Sequence, residues 1–339
     1  MTDLTAELTP FRTKKLLLCH GTVSVFKNQP EALSSLSASW SPFLFNTPQH
    51  VRYQAQHHSI FTFILSNNGQ TELWAFFHLF IENQNGISPR RGPFGSFELK
   101  ADLGGETLTC FVQEIEQLMA HLSLKFLKIK SFPACYDFPK AALIEQVLQQ
   151  NGFVVSSQLA NQHLAVSEQP FEATLHPSEK RRLRKCRRAG FSFEEWQNPE
   201  PAVVYDFIEQ NRRALGYALT FDLVSFVEWL AQFPENYLVF CVKDQAKIVA
   251  LTLAVRVSER VLYNFCPADC LHYRTFSPTV LLNQGLYAYC QQNHFEILDL
   301  GVSVNAEGEP KTGLIRFKRN LGAVESSKLS FFKKMDSPG

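Results

Sequence analysis

The chain has 339 residues, more than one compact core ordinarily holds and about right for two domains. Hydrophobic residues make up 45% and charged residues 19%, a globular composition that excludes disorder. The net charge of +1 excludes a global field drawing the protein to nucleic acid or to an anionic membrane. In chain order, 60–65 and 72–80 form a hairpin across Asn67-Asn-Gly69, a strong turn signal, and 94–99 is a third strand. Leu108, Val112, Ile115, Met119 and Leu122 share one face of a long helix. A short strand at 126–130, a helix at 141–148 and a strand within 153–166 complete the first half, and the polar stretch 167–170 closes it.

In the second half, 178–188 is helical and Gly190 ends it. The stretch 191–196 alternates as a strand. Val204, Phe207, Ile208 and Leu215 mark one amphipathic helix. Leu223, Phe226, Val227, Leu230 and Phe233 mark another, capped by Thr220 or Asp222. A hairpin joins 237–242 to 247–257, and 260–266 is a third strand. A long helix follows, with Pro278 in its first turn and Leu282, Leu286, Tyr289 and Cys290 on one face. A strand at 296–300, a helix at 311–320 and a strand at 324–332 end the chain. The hairpins begin at 60 and 237, the long helices near 106 and 278, and the glycines before the last strands are Gly152 and Gly322. This near-constant offset describes one architecture used twice, over 1–170 and 171–339.

The thirty Phe imply large cores or a deep apolar cleft. Eight scattered cysteines include no CxxC pair, and no His/Cys pair completes a zinc pattern around Cys266 and Cys270, so a metal site is rejected. No apolar run has the length of a membrane span, and the polar, acidic first seven residues do not read as a signal peptide. A cytoplasmic protein with reduced thiols is expected.

The element order hairpin, strand, long helix, short strand, helix, strand resembles a GNAT acyltransferase domain. The second half resembles the Fem-type aminoacyltransferases at 178–190 (SEKRRLRKCRRAG), at Tyr273 followed by 277–282 (SPTVLL), at 301–303 (GVS) and at 313–323 (GLIRFKRNLGA). In the first half, 88–97 (SPRRGPFGSF) is similar to these proteins. The resemblance implies an α/β fold of two tandem GNAT-like domains with mixed sheets and flanking helices. It implies that two neighbouring strands splay, with the donor between them and its phosphates at the start of the long helix. Acyl-CoA or aminoacyl-tRNA would be a co-substrate, with no tightly bound cofactor. The acceptor would be a small-molecule or peptide amine, and a monomer is compatible with this.

A helix N-terminus suits anions because its N–H groups lack intrahelical partners. Arg274, Thr275, Phe276, Ser277 and Thr279 stand there as the donor-binding segment, although the same residues read equally as a capped loop. No glycine lies between Pro267 and Thr279, a departure from acyl-CoA-binding members that fits aminoacyl-tRNA better. The first-half equivalent has Gly104 and Gly105, but Asp102 and Glu106 would repel phosphate there, so that domain is expected to be degenerate. Seven basic residues crowd 180–188, and Arg181, Lys185 and Arg188 share one helical face for a phosphate-rich ligand or tRNA; a solvated face is the alternative.

Acyl transfer to an amine needs oxyanion donors and a proton acceptor. Asn264, Tyr273, Asp299 and Ser303 are the candidates, although for Asp299 the satisfying of loop N–H groups is the preferred reading. Lys318 matches the family motif and either holds a substrate anion or braces the last strand. Arg90 and Arg91 either meet an acidic acceptor or form a tight connection. These features point to an acyl or aminoacyl transferase, with a catalytically inactive binder of a nucleotide-like or peptide ligand as the rival.

Overall fold

Strand β4 (Leu73–Glu82) shows what the Phe-rich composition builds. Phe76, Phe77, Leu79 and Phe80 are all buried, so both faces of this strand are covered. The computed structural model describes residues 8–16, 20–216, 219–305 and 307–335. They divide into two compact units, one of Met1–Leu159 with Ser327–Gly339 and one of Ala160–Ser326.

The first unit contains β1 (Arg12–Leu16), β2 (Gly21–Lys27), α1 (Pro48–Ala55), β3 (Ile60–Asn67), β4, β5 (Asn85–Ser88), β6 (Glu98–Leu99), α2 (Gly105–His121), β7 (Phe126–Lys130) and α3 (Phe138–Gln150). The start of β8 (Val154–Ala165) and the end of β14 (Val324–Lys334) also belong to it. Its sheet runs β1-β2-β3-β4-β5-β7-β14, antiparallel except for the β5–β7 pair. Ala32, Leu33, Ile64 and Phe76 pack on one face, and Val51, Ala55 and Phe80 continue it. Phe77 stacks on Phe97, which meets Phe111 of α2 on the other. Most of the abundant rings of this unit are therefore core, although Phe11 and Phe138 are exposed. The buried Glu98 carboxylate accepts hydrogen bonds from Asn46 at 2.8 Å and the Phe43 N–H at 3.0 Å, and burial pushes its pKa up to about 7.

The strand that follows the β3–β4 hairpin is β5, not 94–99. Asn83 and Gln84 both take positive φ, the geometry of a two-residue hairpin turn, and β5 pairs with β4 directly after it. Pro89, lacking an N–H, stops the ladder. Residues 94–97 instead fold back beside β5 and β7, with the Gly95 N–H donating to Lys130 O at 2.9 Å and the Ser96 N–H to Ser88 Oγ at 3.2 Å. Only Glu98 and Leu99 reach β4.

The second unit contains the end of β8, the single turn α4 (Phe171–Thr174), α5 (Pro177–Arg188), β9 (Ser192–Glu195), α6 (Pro201–Arg213), α7 (Leu223–Gln232), β10 (Tyr237–Asp244), β11 (Lys247–Arg256), β12 (Val261–Asp269), α8 (Pro278–Gln292), β13 (Ile297–Val302), α9 (Thr312–Asn320) and the start of β14. Its sheet order is β8-β13-β12-β11-β10-β9, with β12–β13 parallel. The division falls within β8 and β14 rather than at residue 170, because Ser330–Lys334 pair with β7 of the first unit. Asp222 caps α7 through the Ser225 N–H. None of the seven described cysteines forms a disulfide; Cys19 lies outside the described residues. No described helix is long and apolar enough to cross a membrane.

Helix α8 is pressed so closely on β9 that a Cβ at Gly285 would lie 2.2 Å from carbons of the Phe193 ring. Overpacking of this kind costs about 1–3 kcal/mol. Gly285→Ala should lower the unfolding free energy by that amount in denaturant titration. Phe193→Leu, destabilising alone, should recover part of the loss in the double variant, and strict additivity would show that the ring is not the obstacle.

Candidate functional site

Strands β12 and β13 run parallel for three residue pairs, Val261–Ile297, Leu262–Leu298 and Tyr263–Asp299. The ladder then ends, although β12 continues to Asp269. Each strand carries an irregularity just past the last pair. On β12 the register against β11 shifts between Leu253 and Ala254, leaving Phe265 unpaired. On β13 the register against β8 shifts between Asp299 and Gly301, at Leu300. A bulge bends its strand, and Gly301, at φ 71°, is the residue type that adopts this conformation most cheaply.

Buried polar side chains hold both bulges. Asn264 accepts from Thr252 Oγ1 at 2.7 Å and donates to Asn283 Oδ1 at 3.3 Å, and Asn283 donates to Thr279 O at 2.8 Å. Asp299 Oδ1 accepts from Asn161 at 2.7 Å and from the Gly301 N–H at 2.8 Å. Ser303 Oγ donates to Gln162 Oε1 at 2.7 Å. Lys318, 7% exposed, donates to Gly301 O at 2.8 Å, Val302 O at 3.1 Å and Gln162 Oε1 at 3.4 Å. Burial lowers the Lys318 pKa to about 8, opposed by the Asp299 charge. Asp299 thus satisfies a turn N–H, and Lys318 braces β13; its contacts are with protein oxygens, so it is not standing open to a substrate anion.

The loop from β12 into α8 is built differently. Ser277 takes a left-handed conformation, φ 58°, and its side chain makes no cap, while Pro278 begins the helix. The expected hydroxyl cap is therefore missing, since that backbone conformation points the side chain elsewhere. Lys185 of α5 donates to Thr275 O at 2.7 Å and lies 4.5 Å over the Phe276 ring. The Cys186 thiol donates to Phe276 O at 3.1 Å. Tyr273 donates to Asp244 Oδ2 at 3.0 Å, which holds its pKa above the ordinary value. Arg274, half exposed, lies 3.9 Å from Asp269. On α5, Arg182 pairs with Glu179 and Arg187 with Glu172, while Arg181 and Arg188 are exposed. The structure thus joins Lys185 to the α8 loop.

Arg90 and Arg91 belong to the first unit. Arg90 donates to Glu82 at 3.2 Å and to Gln54 O at 3.0 Å, so it ties the sheet to the end of α1 and is not free for an acceptor. Arg91 is exposed.

Tyr263 escaped the sequence reading. A Cβ on Gly301 would lie 3.1 Å from the Tyr263 hydroxyl oxygen, so this phenol stands at the point of divergence. Burial, then the Asp299 charge, push its pKa up, which keeps it a hydrogen-bond donor. The signal was the polar pair Tyr263-Asn264 in the middle of an apolar strand.

Sequence comparison matches no family model and no curated protein. Structural comparison does find similar folds. FemX superposes with a TM-score of 0.66 at 12% identity, over 90% of this chain and 95% of that one. The L-PGS of Bacillus licheniformis gives 0.53 at 10% identity over 78% and 82%. A tandem GNAT protein from the clavulanic acid biosynthesis pathway gives 0.50 at 10% identity over 92% and 94%. The chain has a tandem GNAT-like fold of the kind seen in FemX.

Because the folded state lowers the Lys318 pKa from 10.5 to about 8, the unfolded chain binds more protons between these values, and stability rises with pH across that window. The unfolding free energy of the wild type relative to Lys318→Met should therefore increase from pH 8 to pH 10.5, by up to about 3 kcal/mol. A difference that stays flat would show that the ammonium is not depressed.

Proposed function

We propose that the protein is an acyltransferase that moves an acyl or aminoacyl group from a CoA thioester or an aminoacyl-tRNA to an amine. The observation that carries this reading is the end of the β12–β13 ladder at Tyr263–Asp299, with the uncapped N-terminus of α8 after the same strand. The gap would receive the donor's reacting carbonyl. The α8 N–H groups and Arg274 would meet its phosphates, because that end of the helix carries partial positive charge. The amine nitrogen would attack the carbonyl carbon, the bond to sulfur or ribose oxygen would break, and the departing group would take up the proton lost by the amine. Tyr263 would donate a hydrogen bond to the carbonyl oxygen or leaving group.

The donor site belongs to the second unit in this reading. The first unit has an equivalent parallel pair, Gly86–Leu127 to Ser88–Ile129, but its own residues 94–97 bond beside those strands, with Phe94, Ser96 and Phe97 buried. Ser277 stands in a conformation that glycine would suit, and its side chain limits approach to the backbone. This favours aminoacyl-tRNA over acyl-CoA. Arg181 and Arg188 on α5 would then add phosphate contacts. The rival reading, a binding protein without catalysis, is favoured by Asn264, Asp299, Ser303 and Lys318 being bonded within the protein.

Titration of the purified protein with acetyl-CoA and with a non-hydrolysable aminoacyl-tRNA analogue separates these readings. Arg274→Ala and Arg181→Ala should each weaken tRNA binding by about tenfold at low salt, and by less as salt rises. Binding of neither donor would overturn the proposal. Binding without transfer from acetyl-CoA or intact aminoacyl-tRNA to any of a panel of amines would select the rival.

A further inference from the structure

One titratable side chain beside Asp299 braces neither bulge: His163 of β8, in the second unit. It is 7% exposed, and its Nδ1 is buried with no hydrogen-bond partner among the described residues. A ring nitrogen buried without a partner is costly, so its presence in a folded chain calls for a reason.

The strand register gives its place. His163 is paired with Asp299 across β8 and β13, and Asp299 with Tyr263 across β13 and β12. Partners in register point to one face of a sheet. Asn264 bonds to Asn283 of α8, so Tyr263, one residue earlier, faces away from α8. Tyr263, Asp299 and His163 therefore form one row across three strands, at the last pair before β12 and β13 part. Strands lie about 4.8 Å apart, so the imidazole stands one strand beyond the gap.

Burial lowers the His163 pKa from 6.5, and the Asp299 charge opposes this. The ring is thus neutral at neutral pH, beside a carboxylate that favours its protonated form. The other charged groups around the row are Arg212 of α6, whose charge acts on Tyr263, and Lys318 of α9, bonded to β13 and Gln162. On β14, the other neighbour of β8, Glu325 is paired with Arg319.

We propose that His163 is the base that takes the proton of the acceptor amine. This rests on the acyltransferase reading and adds the proton acceptor to it. As the amine nitrogen bonds to the carbonyl carbon, the imidazole takes the nitrogen's proton, directly or through one water. Asp299 stabilises the imidazolium. As the bond to sulfur or ribose oxygen breaks, the imidazolium gives that proton to the departing atom.

The test is transfer by the full chain from acetyl-CoA and from aminoacyl-tRNA to a panel of amines, followed across pH. His163→Gln should lower kcat about 100-fold or more, with donor Kd and circular dichroism unchanged. Wild-type kcat should fall as pH drops below the ordinary histidine value, because a protonated ring accepts nothing, and His163→Gln should lose that fall. Asp299→Asn keeps an oxygen for the Gly301 N–H but removes the charge, so the fall should move to lower pH. Imidazole added to His163→Ala should restore part of the rate. A His163→Gln protein with the wild-type rate, or one slowed with its pH profile intact, would overturn the proposal and leave the acyltransferase reading standing. A wild-type profile without the acidic fall, or one that Asp299→Asn leaves in place, would overturn it however the His163 variants fold. No transfer by the wild type would overturn both.

Discussion

The second unit depends on one constraint: two parallel strands must stop pairing while both remain in the sheet. Ending a ladder inside a protein exposes backbone N–H and C=O groups, and a buried polar group without a partner is costly. Here the cost is met by side chains. Asp299 takes the Gly301 N–H, and Lys318 takes the Gly301 and Val302 carbonyls. Gln162 ties Ser303 and Lys318 to the neighbouring strand. Two of the residues that sequence reasoning offered for catalysis, Asp299 and Ser303, are among those that hold the end of the ladder.

This explains why buried charge persists in an otherwise apolar layer. A lone ammonium would lose its proton or destabilise the fold. Lys318 stays because three oxygens converge on it and Asp299 is near enough to oppose the effect of burial. Tyr263, with its pKa raised by the same burial and the same carboxylate, remains a neutral donor.

The two units use related ladders for different ends. In the first, the space beside β5 and β7 is taken by a segment rich in Phe, with Gly95 so close to Ser88 that a Cβ would lie 2.6 Å from its Oγ. In the second, the equivalent strand continues into a loop pinned by Lys185 and Cys186 from α5. The basic helix is therefore partly structural: one of its cations anchors the loop, two are paired with glutamates, and Arg181 and Arg188 remain on the surface.

Local periodicity determined much of this. The helical faces of α2 and α8, the β10–β11 hairpin and the Asp222 cap follow from spacing and from side chains that bond to the nearest backbone, and such signals survive in any tertiary context. The repeated order of elements was legible for the same reason. Periodicity could not show that 85–88 is a strand, since its pairing comes from β4 and β7 rather than from its own four residues. Nor could it assign the end of β14 to the first unit. The role of each polar residue was equally hidden. Asp299, Ser303 and Lys318 meet Asn161 and Gln162 only through a fold that joins positions more than 130 residues apart in sequence, and those partners hold the bent strand. Tyr263 acquires its place from Gly301, whose lack of a Cβ leaves room for the ring, a contact between residues 38 positions apart that no local pattern announces.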